Sequence, residues 1–273
     1  MDKFPTLMFG TGVSAYKDYD GMKSVVKTAL EYGITGFDTA PSYKTEIPLS
    51  KVLKECLQEL ELTRNDVFIQ TKIDAWQCQE GPTSIKKHIK TSLESTNLEF
   101  FDSLLIHWPV PEYQLYTWKT LVELKNEGII KHIGVCNVRK RQLVTFLDYD
   151  FNPEIIQIER NPLFVCSEEV DFCKNNNMII QAYSPLCKMD QRIQKNEILI
   201  ELSKKYNKDI GQIVLRWHLD TGVVPIFTSK NINRIKQYSQ LNDFCLTNEE
   251  IISINKLNIN YKLYLESWAC PGF

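Results

Sequence analysis

Two spacings of apolar residues trade places along this chain from one end to the other. Short β-branched and aromatic runs recur at 7–9, 34–37, 67–72, 103–107, 130–135, 155–159, 178–183 and 223–227, and read as strands. Between them lie longer stretches whose apolar positions repeat every three or four residues. Met22, Val25, Val26, Ala29 and Leu30 make one such stripe and predict a helix over 20–32, closed by Gly33. Leu49, Val52, Leu53, Cys56, Leu57 and Leu60 make the next. Further helices are predicted over 84–96, 115–127, 142–147, 168–175, 197–206, 210–219, 231–238 and 248–257. Strands alternating with helices imply parallel pairing through helical crossovers. Eight such units in 273 residues, with no Gly-rich, Pro-rich or charged linker, fit one α/β domain over 1–273, a closed (β/α)8 TIM barrel.

A barrel of this kind does its chemistry where the strands run into loops at their C-terminal ends. The residues there are Gly10 and Thr11, Asp38, Lys72, His107, Cys136 and Asn137, Gln157 and Glu159, Tyr183 and Ser184, then Thr228 and Ser229. Asp38 to Lys72 spans 34 positions, Lys72 to His107 35 and His107 to Asn137 30, about one βα unit each, which predicts side chains facing one another across neighbouring strands. Tyr43 stands in the turn that follows Asp38. A tyrosine hydroxyl, with an ordinary pKa of about 10, is a poor acid at neutral pH. A lysine ammonium beside it stabilises the phenolate and pulls that value down, while a carboxylate keeps the lysine charged and oriented. A neutral imidazole then steers a carbonyl oxygen toward the phenol. Such a set would protonate a developing alkoxide, as carbonyl reduction requires, and the hydride has to come from a cofactor. Taken singly, each residue has a plainer reading: Asp38 as a helix cap, Tyr43 as a loop aromatic, Lys72 as a simple ion pair, His107 as a core histidine. Their coincidence on consecutive strands favours a site.

Composition narrows the partners. A net charge of −2 leaves no positive field for nucleic acid or an anionic membrane, and the short basic clusters at 86–88 and 139–141 read as solvated helix faces. No apolar run approaches the roughly 18 residues of a membrane span, and the first five residues lack a signal-peptide core, so the expected location is cytoplasmic. Eight cysteines without a C-x-x-C pair argue against a metal site and read as reduced core thiols. The mixed charge balance predicts a monomer.

Seven segments in order resemble the aldo-keto reductases over essentially the whole chain. They are Gly-Phe-Asp-Thr-Ala-Pro-Ser-Tyr at 36–43, Thr-Lys at 71–72, Leu-Leu-Ile-His-Trp-Pro at 104–109, Ile-Gly-Val-Cys-Asn at 133–137, Gln-Ile-Glu-Arg-Asn-Pro at 157–162, Ala-Tyr-Ser-Pro-Leu at 182–186 and Leu-Arg-Trp at 215–217. The resemblance implies NAD(P)H-dependent reduction of an aldehyde or ketone to the alcohol, with Tyr43 as general acid, Lys72 as its pKa-lowering partner, Asp38 as the lysine's ionic partner and His107 orienting the substrate. It implies that Asn137 and Gln157 hold the nicotinamide carboxamide, that Tyr183 stacks on the nicotinamide, and that Ser184 and Leu186 meet the pyrophosphate. Gly10, Thr11 and Asp38 are counted with the cofactor-binding set.

Departures from the family pattern are local. Cys136 replaces the usual serine, a weaker hydrogen-bond partner. Thr228 replaces the lysine that meets the adenosine 2′-phosphate; Ser229 and Arg234 keep their positions, and Lys230 can compensate in part as a flexible point charge. Gln237 and Tyr238 replace the usual glutamate and asparagine near adenine. NADPH is the expected cofactor, with NADH possible. Trp76, Trp108 and Trp268 are candidates to line the substrate pocket, and Gly12, where many relatives place an aromatic, predicts an open side. Two other readings stand beside reduction: a catalytically idle NADPH-binding barrel acting as a sensor or partner-binding protein, and a cofactor-free barrel such as a sugar isomerase.

Overall fold

Each β-branched run forms a strand, and the eight strands close on themselves. In the computed structural model, which describes residues 4–12, 18–148 and 152–265, they are β1 (Met8–Gly10), β2 (Gly36–Asp38), β3 (Phe68–Ile73), β4 (Phe101–Ile106), β5 (Ile130–Cys136), β6 (Ile155–Glu159), β7 (Ile179–Tyr183) and β8 (Val223–Phe227). Every neighbouring pair is parallel, and β8 returns to β1 through Met8 opposite Ile226. The helices are α1 (Tyr19–Glu31), α2 (Glu46–Glu59), α3 (Ala75–Gln79), α4 (Pro82–Thr96), α5 (Pro111–Asn126), α6 (Lys140–Asp148), α7 (Ser167–Asn175), α8 (Gln191–Gln194), α9 (Glu197–Tyr206), α10 (Ile210–Asp220), α11 (Ile232–Ser239) and α12 (Asn248–Asn255). This is the (β/α)8 barrel that the alternation predicts. None of the described helices is long and apolar enough to cross a membrane.

Alternation along each strand sends one set of side chains outward to the helices and the other into the barrel. Phe9, Phe37 and Phe227 join the outer set, meeting edge to face and packing with the apolar stripes of α1 and α2. Inside, Met8, Phe68, Leu105, Cys136, Ile155 and Ile226 form a separate apolar plug. Gly134 belongs to this inner set, where a Cβ would lie 2.2 Å from the Ile155 carbonyl oxygen, so only glycine lets β5 approach β6 so closely.

Two residues further along β3, β6 and β7 the plug gives way to amides. Gln70 Nε2 donates to Gln181 Oε1 at 2.9 Å, Gln157 Nε2 to the same oxygen at 3.0 Å, and Ser103 Oγ to Gln70 Oε1 at 2.9 Å. These buried polar groups satisfy one another, which avoids the cost of about 1–3 kcal/mol for each unpaired one and fixes the floor on which the strand-end residues stand. Strand β2 carries Asp38 directly onto this floor: Gln70 Nε2 and Gln157 Nε2 both reach its Oδ2, at 2.8 and 3.1 Å.

The two shortest helices carry no readable stripe, because a single turn has no period. Capping chemistry marks them instead. Asp74 and Gln77 form a reciprocal capping box at the start of α3, and Asp190 accepts from the Arg192 N–H at the start of α8.

Candidate active site

Lys72 is fully buried, and its ammonium reaches three acceptors: Asp38 Oδ1 at 2.8 Å, Asp38 Oδ2 at 2.7 Å and the Thr39 carbonyl at 3.0 Å. Burial works against the charged form, but the Asp38 carboxylate outweighs it and holds the Lys72 pKa above the ordinary lysine value. A single-turn 3-10 helix, Pro41–Tyr43, with Lys44 left-handed after it, swings the Tyr43 ring back over the barrel mouth. The Lys72 ammonium lies 4.9 Å from the centre of that ring. Burial pushes the Tyr43 hydroxyl above the ordinary tyrosine pKa, and the Lys72 charge opposes this without overcoming it. The lowering expected of Lys72 is thus present, and desolvation exceeds it, so Tyr43 is a protonated phenol across neutral pH.

His107 faces Tyr43 from the end of β4, with Tyr43 Oη 3.4 Å from Nε2 and the rings edge to face. Its other ring nitrogen, Nδ1, lies 2.5 Å from Oδ1 of Asp74, a residue that strand-end spacing did not single out. Burial lowers the His107 pKa, Lys72 adds to this, and Asp74 opposes it; the net direction is down, toward a neutral ring.

Asn137 follows β5 in a left-handed conformation (φ 58°), which asparagine tolerates better than most residues. Its Nδ2 donates to the His107 carbonyl at 2.9 Å, and its Oδ1 accepts from the Tyr183 hydroxyl at 2.7 Å. Gln157 and Tyr183, at the ends of β6 and β7, complete a wall with it. Asp38, Tyr43, His107, Asn137, Gln157 and Tyr183 all line one cavity of about 770 Å³ at the C-terminal mouth of the barrel. Gly10, Ser184, Leu186, Thr228 and Arg234 line the same cavity, as do Gly12 and Trp108. A Cβ on Gly12 would lie 3.1 Å from the Tyr43 ring, so the missing side chain keeps that side open.

Some expected residues serve the frame instead. Thr11 is buried, and its hydroxyl donates to the Asp38 carbonyl at 3.0 Å. Cys136 sits in the apolar plug, because β5 turns it inward one residue before the cavity begins, and burial raises its thiol pKa. The Ser229 hydroxyl accepts from the Asn231 N–H ahead of α11. Lys230 and Gln237 are exposed and do not line the cavity. Trp76 is also displaced from its expected place: α3 turns it outward, 53% exposed and edge-on to His88 of α4. Trp268 lies outside the described residues.

The cavity also takes in residues that strand-end spacing could not indicate, because their loops reach it from far away. Lys188, Gln194, Asp209 and Tyr264 are among them. Glu159 explains Tyr264: its buried carboxylate accepts the main-chain N–H groups of Leu263 at 2.7 Å and Tyr264 at 2.9 Å, which lays the Tyr264 ring edge-on to Tyr183 and under the Lys188 ammonium. Among the described residues no group of three or more His, Cys, Asp or Glu side chains is arranged to hold a metal ion.

The profile of the Aldo/keto reductase family matches residues 6–259. This chain belongs to the aldo/keto reductase family. It is 33% identical over 251 residues to the glyoxal reductase of Bacillus subtilis, covering 92% of this chain and 88% of that one. To the methylglyoxal reductase DkgA of Yersinia pestis it is 35% identical over 242 residues, 87% of this chain and 84% of the relative. The crystal structure of an aldo-keto reductase of Bombyx mori in complex with NADP superposes with a TM-score of 0.88 at 30% identity, over 97% of this chain and 92% of that one. As an aldo-keto reductase, the protein is an NAD(P)H-dependent oxidoreductase acting on carbonyl groups.

The donor set of the cavity fits such a cofactor. Two side-chain amides, Asn137 and Gln157, stand beside an aromatic face, Tyr183, and match a ring that bears a carboxamide. Arg234 and Lys188 supply positive charge for phosphate groups, with Asp209 the one lining carboxylate near α10. Gly10, on the same lining, leaves room that a side chain would take, since a Cβ there would press on Ile226 and Thr228 at 3.1 Å.

Proposed function

We propose that this aldo-keto reductase reduces small aldehydes or ketones to alcohols with NADPH, and that Tyr43 delivers the proton. The observation that carries this reading is the buried Asp38–Lys72 pair beneath a protonated Tyr43 in the same cavity as the nicotinamide-matching wall. Hydride on the carbonyl carbon is the chemistry that NADPH supplies when bound. Everything else falls to side chains of this chain. The Tyr43 phenol holds the proton at Oη and passes it to the oxygen on which negative charge develops. The phenolate left behind lies beside the Lys72 ammonium, which stabilises it in a site of low polarity. Asp38 keeps that ammonium charged and aimed, and its own charge is held by Gln70 and Gln157. Asn137, Gln157 and Tyr183 are the residues that would hold the nicotinamide, and Arg234 the one that would meet a 2′-phosphate.

The relatives named for glyoxal and methylglyoxal make 2-oxoaldehydes the first substrates to try. An open wall at Gly12 and an aromatic one at Trp108 suit compact carbonyl compounds of this sort. The test is NADPH oxidation against a panel of aldehydes, ketones, keto sugars and α-keto acids, with Tyr43→Phe alongside. Turnover by the natural chain that collapses in the variant, with NADPH binding retained, is the expected result. Unchanged turnover in Tyr43→Phe overturns the assignment of the proton donor. Tight NADPH binding with no reduction of any carbonyl would instead favour a sensor or partner-binding barrel.

A further inference from the structure

Asp74 comes one residue after β3 and His107 one residue after β4. The parallel register of these strands pairs Ile73 with Ile106, and its continuation brings Asp74 beside His107. The carboxylate is almost wholly buried, and its contacts are specific: Oδ1 meets His107 Nδ1 at 2.5 Å and Ser42 Oγ at 3.1 Å, while Oδ2 accepts the Ser42 N–H at 2.9 Å. Burial pushes the Asp74 pKa up, but the bonds from His107 and Ser42 outweigh it and hold the group below the ordinary aspartate value, hence ionised. An ionised carboxylate only accepts, so the ring nitrogen that faces it carries a proton. A neutral imidazole has one proton to place. With that proton on Nδ1, Nε2 is a bare lone pair, and the donor facing it is the Tyr43 hydroxyl.

A carbonyl oxygen also offers only lone pairs. Placed between Tyr43 and a bare Nε2, it gains one donor and meets one repulsive partner. With both ring nitrogens protonated, Nε2–H becomes a second donor and the oxygen has two. We propose that Asp74 is a positioning residue that fixes the His107 proton on Nδ1, so that His107 assists a carbonyl oxygen only in its doubly protonated form. Carbonyl reduction in this chain then carries an acid requirement set by His107, whereas alcohol oxidation, which needs an acceptor for the hydroxyl proton, favours the bare Nε2.

The groups that face His107 set where the gate turns. Asp74 approaches from the end of β3, Lys72 from β3 itself, Asp38 from β2 and Tyr43 from the turn after it; β5 contributes only the neutral Asn137 amide, on the His107 main-chain carbonyl. Net lowering of the His107 pKa puts the protonated form below the ordinary histidine value of about 6.5. Reduction is therefore strongest on the acid side and declines as pH rises. Tyr43, whose pKa is raised, does not titrate in that window.

This inference rests on the carbonyl-reductase reading, and two measurements separate the two. Nitrogen-15 spectra of the histidine-labelled free protein at pH 8, with His107 assigned by its loss in His107→Asn, are expected to give a protonated Nδ1 and a bare Nε2. A protonated Nε2 there overturns the proposal, whatever the protein reduces. In the second, kcat/KM for propanal reduction is followed from pH 5 to 8 in the natural chain and in Asp74→Asn. The asparagine keeps an oxygen for Ser42 and presents an N–H to Nδ1, which moves the ring proton to Nε2. The natural chain is expected to lose about tenfold per pH unit above the gate, and the variant to vary by less than about twofold. A flat natural profile, or the same limb in both proteins, also overturns the proposal. A chain that reduces no aldehyde at any pH defeats the reductase reading, while the nitrogen spectra still decide the tautomer.

Discussion

The two ends of the cavity are built on different terms. At the deep end, Lys72 is fully buried with three acceptors within 3.0 Å, and Asp38, Gln70, Gln157 and Gln181 are bonded into one network beneath it. At the outer end, the lining residues Thr228 and Arg234 are exposed, and so are Lys230 and Gln237 beyond the lining. An ion out of water is costly unless it is paired, so the deep end admits few alternatives at each position. Exposed side chains stay hydrated, and exchanging one for another costs little. Thr228 and Gln237, two of the positions where this chain departs from the aldo-keto reductase pattern, belong to the second kind, whereas Tyr238, a third, is buried.

That contrast can be broken first at Tyr43, the proposed proton donor. Tyr43→Phe removes the acidic hydrogen but keeps the ring against Lys72 and His107; kcat for reduction should fall by roughly 10²- to 10⁴-fold, while NADPH affinity by fluorescence titration stays within about threefold. Asp38→Ala attacks the same end through stability. It strands a buried ammonium, and denaturant unfolding should report a loss of about 3–5 kcal/mol. At the outer end Arg234→Ala should raise the Kd for NADPH by about tenfold and leave that for NADH nearly unchanged, the signature of one lost contact to a 2′-phosphate. An equal loss for both cofactors would place Arg234 elsewhere. The two tryptophans give the finest comparison. Trp108→Ala should raise KM for aromatic aldehydes several-fold, and Trp76→Ala, on the outside of α3, should leave it within about twofold.

The fold was readable because each strand is a short β-branched run and each crossover helix long enough to show a stripe. Over β6, β8 and α9 the expected and observed bounds coincide; elsewhere the ends differ by at most two residues for strands and four for helices, the largest difference being at the start of α5. The Asp38–Lys72 contact was readable for a similar reason: both sit on strands, and a buried lysine needs a carboxylate. Asp74 was not. Spacing alone put Lys72 and His107 together, since 35 residues approximates one βα unit. The true β3–β4 register pairs Lys72 with Leu105, which leaves His107 opposite the residue two beyond the lysine. A carboxylate within two residues of a strand-end lysine was the available signal. Trp76 failed in the opposite sense, because a single turn of helix reverses a direction that sequence proximity suggests. Lys188, Asp209 and Tyr264 are brought in by loops and by the tail, whose paths no local period encodes.

The Glu159 anchor has a consequence for exchanging parts between members of this fold. Its carboxylate grips the main-chain N–H groups of residues 263 and 264, which every amino acid but proline possesses. The socket is therefore indifferent to the side chains it receives. A transplanted tail that avoids proline at these two positions would seat in the same way, carrying a new wall for the cavity in place of Tyr264 and leaving the barrel beneath untouched.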